Sequence, residues 1–373
     1  MSLNCDINHF LNEKDWLVWV LAPYLETDDP NLQYYYDFSQ SIQEYTQVFA
    51  DLNLDWKWQN LTLDNYDSIV RNIRDASFPK LPLILNLCDG DEANGVPGLS
   101  VVKLLETLKL IYTGSDPYFY EITTSKIPMK KLFDQYKVPT PNWMIINPRK
   151  PETETIFSKL TAPLIVKPAI SAGSLGLGLN AVVSDAESFT SYINNLLEGY
   201  KGWDFVNGGL FVEEFIDGEE FTTLIVGSEV HRQESKIYKP VERLFDESLP
   251  ANEKFLSFDR LWEIYENEAP LKDEKALWHY HVPDPSLISR IQEISWKAYC
   301  AVKGTGYGRI DLRRNKKTGE LYVLEVNAQC GLSEDENYTS IGAILRYEKT
   351  KFSTLIKEVL YDAYLRHAEN SIL

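Results

Sequence analysis

The first strongly patterned stretch of the chain is a nearly unbroken apolar run, residues 16–21 (WLVWVL), the signature of a strand buried on both faces. Residues 81–87 (LPLILNL) form a second such run. Residues 35–52 and 100–108 carry apolar positions at helical spacing, and a Gly-Ser-Asp-Pro turn at 114–117 closes the block. Alternating strands and helices predict an α/β unit over residues 1–115.

A second unit is expected over 116–205. It holds a helix over 129–136 started by Pro128 and broken by Pro139 and Pro141, a strand over 164–168 (LIVKP), a glycine-rich stretch, and a helix over 189–197. The third unit, 206–373, begins with strands over 211–214 and 221–227. Residues 246–275 hold nine acids and four bases and read as a surface excursion. A helix over 286–302 follows, then strands over 307–313 and 321–327 around an Asn-Lys-Lys-Thr-Gly turn. The last helix sets Phe352, Leu355, Ile356, Val359, Leu360 and Ala363 on one face.

Composition narrows the function classes. The 373 residues include 37 Lys and Arg against 55 Asp and Glu, a net charge of −18, so no basic excess exists to neutralise a nucleic acid. A local pocket of cations for ATP stays compatible with that balance. No apolar run nears the ~18–20 residues of a membrane span. The first residues lack the basic start and long apolar stretch of a secretory signal. Cys5, Cys88, Cys300 and Cys330 are scattered without a C-x-x-C pair, as expected of reduced thiols in a cytoplasmic protein.

The chemistry concentrates in residues 306–331. Arg309 and Asp311 share one face of a strand, and Glu325 and Asn327 share one face of the next. With the turn centred on Thr318, Asp311 opposes Glu325 and Arg309 opposes Asn327, while Ile310, Leu312, Leu324 and Val326 face a core. Two acids and an amide make an oxygen-rich patch suited to Mg²⁺. Opposed acids repel unless a cation lies between them, which points to metal over a merely solvated hairpin face. Lys167 leaves a buried strand into Gly173-Ser-Leu-Gly-Leu-Gly178, where backbone amides can wrap phosphates. The stretch is neither a Walker A loop nor a Rossmann fingerprint, and alone it reads equally as a hairpin turn. The segment 211–222 ends a strand in acids, where backbone groups can read an adenine edge and a carboxylate can hold ribose.

Together and in this order these segments resemble the ATP-grasp superfamily, in its D-alanine–D-alanine ligase-like branch, over residues 81–365. Gly308-Arg-Ile-Asp-Leu with Tyr322-Val-Leu-Glu-Val-Asn-Ala-Gln-Cys-Gly-Leu-Ser333 resembles the "GRxDF…LEVNTxPGMT" segment. Gly90-Asp-Glu-Ala-Asn-Gly-Val-Pro-Gly98 with Thr113-Gly-Ser115 resembles "GEDGxxQG…IPYTGS", and Thr124-Ser-Lys126 with Lys130 and 138–141 resembles "DKxxxK…GLPTP". The resemblance implies an α/β (α+β) ATP-grasp fold of three lobes, with nucleotide between two sheet-containing lobes behind an N-terminal α/β domain. It implies that Lys126 and Lys167 contact ATP phosphates and that the loop from Ser171 to Gly176, with Gly173 and Ser174, closes over them. Glu213, Glu214 and Ile216 would hold adenine, and Glu220 the ribose. Asp311, Glu325 and Asn327 would hold two Mg²⁺, for which Mn²⁺ can substitute. Arg309 would face the transferred phosphoryl group, and the Gly331 amide the oxyanion.

The acceptor motifs depart from the branch. The "GGxSxE" place reads Ala22-Pro-Tyr-Leu-Glu-Thr, and the Lys and Tyr of "FYDYEAKY" become Leu261 and Trp262. Cys330 replaces a proline. The implied enzyme is an ADP-forming ATP-dependent acid–amino acid ligase whose small-molecule substrates are not two D-alanines. A natural-product intermediate such as a mycosporine-type ring is one option. Glu92, Trp262, Ser333, Glu334 and Glu336 are the candidate substrate contacts. The alternatives are a non-catalytic nucleotide-binding regulatory protein on the same fold and a true D-alanine–D-alanine ligase with a divergent acceptor site. No nucleic-acid or membrane partner is expected, and monomer and homodimer both stay open.

Overall fold

The computed structural model describes residues 7, 9–28, 36–76, 79–92, 95–170, 174, 176–199, 205–263, 265, 268–271, 276–335 and 339–370. Three sheets organise them. The first is parallel, of β1 (Trp16–Pro23), β2 (Asp55–Leu61), β3 (Leu81–Asn86) and β4 (Ile111–Tyr112), in the order β2-β1-β3-β4. Parallel neighbours need long crossovers. The helices Ser39–Leu52, Tyr66–Ala76 and Leu99–Thr107 supply them. Central β1 buries Val18, Val20, Leu21 and Ala22 completely, as its apolar run requires.

The second sheet is antiparallel, of β5 (Trp143–Ile146), β6 (Leu164–Pro168), β7 (Val182–Val183) and β8 (Leu210–Glu214), in the order β5-β8-β6-β7. The third holds β9 (Glu220–Val226), β10 (Lys236–Ile237), β11 (Val241–Phe245), β12 (Trp278–His281), β13 (Tyr307–Arg314) and β14 (Leu321–Ala328). Its order is β12-β11-β9-β13-β14, with β10 also on β9. Among the described residues no helix is long and apolar enough to cross a membrane.

The helix expected to start at Pro128 starts at Lys126. Pro128 sits in its first turn, where backbone N–H groups have no intrahelical partner to lose. The segment 246–275 is not wholly a surface excursion among its described residues. Phe255, Ser257, Asp259 and Arg260 in it are buried. Phe258 donates its amide to the Leu177 carbonyl (2.9 Å) and Ser174 its hydroxyl to that of Leu256 (3.1 Å), so the segment lies on the glycine-rich stretch. Two of its acids are paired: Glu253 and Glu268 lie 2.9 and 3.2 Å from the buried Arg260 guanidinium.

Strands β13 and β14 pair Arg309 with Asn327 and Asp311 with Glu325. Between Asp311 and Leu312 the register slips by one residue, so Leu312 pairs with Val323 and Leu324 has no cross-strand partner. Leu324 consequently lines the cleft described below rather than the core.

One apolar core joins the first and third sheets. It holds Trp16, Val18, Val20, Leu83 and Leu85 from the first sheet, and Leu224, Val226 and Tyr307 from the third. Between them lie Tyr45 and Phe49 of helix Ser39–Leu52 and Phe352, Leu355, Ile356, Val359 and Leu360 of helix Phe352–Asn370. Leu355 is fully buried there. Truncating it as Leu355→Ala is expected to cost about 2–5 kcal/mol through lost burial and the cavity left behind. A urea titration checks this by a lowered midpoint at unchanged slope.

Candidate active site

A cleft of about 620 Å³ opens between the second and third sheets and runs to the loop that follows β3. Lys126, Lys167, Ser174, Glu213, Glu214, Ile216, Glu220, Arg309, Asp311, Glu325, Asn327, Gly331 and Ser333 all line it. Residues nearly 200 positions apart therefore meet because β6, β8, β9, β13 and β14 present one face each to the same space.

Charge pairing organises the walls. Glu213, 1% exposed, forms an ion pair with Lys130 Nζ at 2.5 Å and accepts from Lys167 Nζ at 2.7 Å. Burial alone would raise its carboxyl pKa, but the two ammonium groups hold it below the usual value. Burial pulls Lys130 the other way, below the ordinary lysine value, against the attraction of Glu213. Lys130 also donates to Thr140 Oγ1 (2.7 Å), which makes it an internal counter-ion rather than a cleft residue.

Glu220 on β9 sits between Arg243 of β11 and Arg313 of β13, each directly opposite it across the sheet. Arg313 Nε is 3.2 Å from its carboxylate, and Arg243 pairs with the other oxygen and donates to Tyr280 Oη (3.0 Å). Burial opposes ionisation of Glu220, and the two guanidinium groups outweigh it, lowering the pKa. Arg313 also donates to the Ile216 carbonyl (2.9 Å), fixing the chain between β8 and β9. Sequence reasoning missed Arg243, Arg313 and Tyr280. Alternation after Arg309 and Asp311 marks Arg313, whereas Arg243 and Tyr280 come from strands that no motif tied to the site.

Asp311 accepts from Arg309 Nη2 (2.9 Å), Thr222 Oγ1 (2.8 Å) and Asn327 Nδ2 (3.0 Å). Glu325 accepts from the same Asn327 amide (3.2 Å) and lies 3.4 Å from Lys126 Nζ. The repulsion that pointed to metal from the sequence is therefore already relieved by Arg309, Lys126 and Asn327. Burial would raise the Glu325 pKa, but Lys126, Lys167, Arg309 and Asn327 bring it to about 2. Among the described residues no group of three or more His, Cys, Asp and Glu side chains forms a metal cage by itself.

The other predicted contacts spread apart. Glu92 does not line the cleft; it caps the helix Leu99–Thr107 by accepting from the Gly98 amide (3.3 Å) and from Ser100 N and Oγ (2.5 and 2.8 Å). Its neighbours Asp89, Gly90 and Asp91 line the cleft instead, with Ser41, Thr339 and Ser340. Glu334 is exposed, and its amide donates to Glu44 Oε2 (3.3 Å), while Ser333 Oγ donates to Glu44 Oε1 (2.8 Å). Ser171, Gly173, Glu336 and the Trp262 side chain lie outside the described residues. Burial pushes the Cys330 thiol up to about 12, so it stays protonated and is no nucleophile. A Cβ at Gly331 would meet nothing within 4 Å, leaving that backbone open to the cleft.

This arrangement is that of an ATP-grasp protein, and the comparisons agree. The D-ala D-ala ligase C-terminus family matches residues 132–361, more than half of the chain. A protein of Sinorhizobium fredii called y4sG, itself uncharacterised, is 27% identical over 300 residues, covering 78% of this chain and 77% of that one. A D-alanine–D-alanine ligase of Ralstonia nicotianae is 27% identical over 230 residues, 62% of this chain and 61% of that one. The solved D-alanine–D-alanine ligase of Bacillus anthracis complexed with ATP superposes with TM-score 0.65 at 20% identity, over 95% of this chain and 99% of that one. The VanG D-Ala:D-Ser ligase of Enterococcus faecalis gives 0.66 at 15% identity, over 94% and 100%. The chain belongs to the D-ala D-ala ligase C-terminus family and is an ATP-dependent, ADP-forming carbon–nitrogen ligase.

The depressed Glu325 pKa fixes a pH dependence. Its folded value of about 2 lies below an unfolded glutamate's value of ~4.3, so its ionised form stabilises the fold above that unfolded value. The contribution is lost as pH falls from ~4.3 towards 2. The stability difference between wild type and Glu325→Gln is expected to shift against wild type across that window and to stay flat from pH 5 to 7. Urea midpoints measured at each pH check it.

Proposed function

We propose that the cleft joins an acid to an amine through an acyl phosphate. The supporting observation is the convergence of Lys126, Lys167 and Arg309 with Asp311, Glu325 and Asn327 on one cleft whose far wall carries Asp89 and Asp91. The acid's oxygen attacks the γ-phosphorus of ATP and ADP leaves. The amine nitrogen then attacks the acyl carbon, phosphate departs with that oxygen, and the amine loses a proton. Lys126, Lys167 and Arg309 offset the phosphoryl charge. Glu213, Glu214 and Ile216, with Ile165 and Phe215 beside them, border adenine, and Glu220 accepts from ribose. Ser174, which lines the cleft, borders the phosphates and helps keep water from the intermediate. The Gly331 amide donates to the developing oxyanion.

The donor set fits Mg²⁺ because Asp311, Glu325 and the Asn327 amide offer only oxygen ligands and face the cleft, as an ion shared with substrate phosphates requires. Bound there, Mg²⁺ would neutralise charge on those phosphates. A binding-only protein on this fold would be marked by loss of these acids or of Arg309, and all are present.

The substrates are not two D-alanines; a natural-product intermediate such as a mycosporine-type ring is one candidate. The amine's ammonium pairs with Asp89, an exposed carboxylate on the cleft wall. Leaving an ammonium unpaired in the cleft would cost several kcal/mol.

A panel of amino acids crossed with candidate acids, read by ADP release, tests the reading. ADP release that needs both an acid and an amine is expected, with no dipeptide from D-alanine alone. Asp311→Ala and Glu325→Ala are expected to lose roughly 10³-fold or more in turnover with unchanged circular dichroism. Asp89→Asn is expected to raise the amine KM. Turnover within a few-fold of wild type in both acid variants would remove the assignment.

A further inference from the structure

Where β14 ends, Gln329 is 1% exposed yet reaches across to the first sheet. Its Oε1 accepts from the Ser115 amide at 2.9 Å and from Ser115 Oγ at 3.4 Å, and its Nε2 donates to the Asn86 carbonyl. Both amide ends are used, on the residue that ends β3 and on the turn that follows β4. The backbone is shaped for this contact. Gln329 has φ +58°, a conformation uncommon outside glycine. Gly114 has φ +88°, and a Cβ there would fall 1.8 Å from Gln329 Oε1. Gly306, at φ +73°, packs on the Gly114 carbonyl so closely that its own Cβ would fall 2.0 Å from it. Arg366 donates to the same carbonyl at 3.0 Å.

The covalent path is short at both ends. Gln329 lies two residues after Asn327, and Asn86 lies three before Asp89. We infer that Gln329 is a positioning residue that fixes the Asp89–Asp91 wall against the strand bearing Glu325 and Asn327, and thereby aligns the amine with the activated acid. This rests on the ligase reading of the cleft. The acceptor-bearing loop and the phosphoryl-bearing strand belong to different sheets, and a ligase in which they drift apart would still bind nucleotide but lose its intermediate to water. An apolar side chain of equal length would fill the space while leaving the Ser115 amide and Asn86 carbonyl unpaired.

The experiment compares wild type, Gln329→Met and Gln329→Glu as full chains. It measures affinity for AMP-PNP with Mg²⁺, amide hydrogen exchange over residues 84–91 and 113–116, and, with an acid–amine pair from the panel, the amine KM and the ADP released per bond formed. For Gln329→Met the expected result is AMP-PNP affinity within about twofold of wild type, Ser115 amide exchange faster by about tenfold, amine KM higher by about tenfold, and more than one ADP per bond, as for one lost buried hydrogen bond. Gln329→Glu keeps the acceptor for Ser115 and is expected to recover slow exchange there and part of the amine KM. It carries the comparison if the methionine variant is insoluble. Unchanged Ser115 exchange, an unchanged amine KM, or AMP-PNP affinity falling as far as amine KM rises would overturn the inference. A wild type that fails to bind AMP-PNP, or turns over no pair, would instead overturn the ligase reading, and the exchange of Ser115 alone would then decide whether Gln329 holds the two walls.

Discussion

The buried and half-buried carboxylates Glu213, Glu220, Asp311 and Glu325 are paired before any ligand arrives, and that pairing sets the geometry of the site. A buried carboxylate without a partner costs several kcal/mol. Glu213 takes Lys130 and Lys167, Glu220 takes Arg243 and Arg313, Asp311 takes Arg309, and Glu325 takes Lys126. These contacts tie β6 to β8, β9 to β11 and β13, and the helix Lys126–Gln135 to β14. The group holds six cations against four carboxylates, a surplus of two positive charges in a chain of net charge −18. Five of those cations, Lys126, Lys167, Arg243, Arg309 and Arg313, line the cleft, and a triphosphate entering it would meet cations already held in place.

Holding the far wall is a separate problem, because the Asp89 loop hangs from the parallel sheet. Two devices meet it. The shared core packs helix Phe352–Asn370 between the first and third sheets, so neither sheet closes its apolar face without the other. Closer to the cleft, the Gln329 amide spans from the end of β14 to Asn86 and Ser115. The first device is non-directional and sets the rough placement; the second is directional and sets the last ångström.

The hairpin register was legible because side chains alternate with period two, and Asp311 opposite Glu325 follows from turn length alone. The slip after Asp311 was not legible, since a bulge leaves no periodic mark, and it moved Leu324 from the core to the cleft. Strand β2 escaped notice because it lies at a sheet edge, where Asp55, Lys57 and Asn60 are exposed and no apolar run builds up. Residues 246–275 misled for a related reason: composition counts acids but not their partners, and Arg260 pairs with two of them. The partners of Glu220 were hidden because cross-strand neighbours are adjacent in register, not in sequence. The family resemblance named, for ATP and metal, residues that line one cleft wherever they are described. It reached less far at the acceptor end, where Glu92 caps a helix and the Asp89–Asp91 carboxylates face the space instead.

The central claim is that the acid is activated by phosphorylation before the amine attacks. Transfer of oxygen isotope measures it most directly. The acid that supports turnover is labelled with ¹⁸O in its reacting group, and the phosphate released is examined by mass spectrometry or by the ³¹P isotope shift. The account predicts one ¹⁸O atom per phosphate released, because the oxygen that attacked phosphorus leaves with it. Phosphate free of label, with both labelled oxygens retained or lost elsewhere, would contradict it.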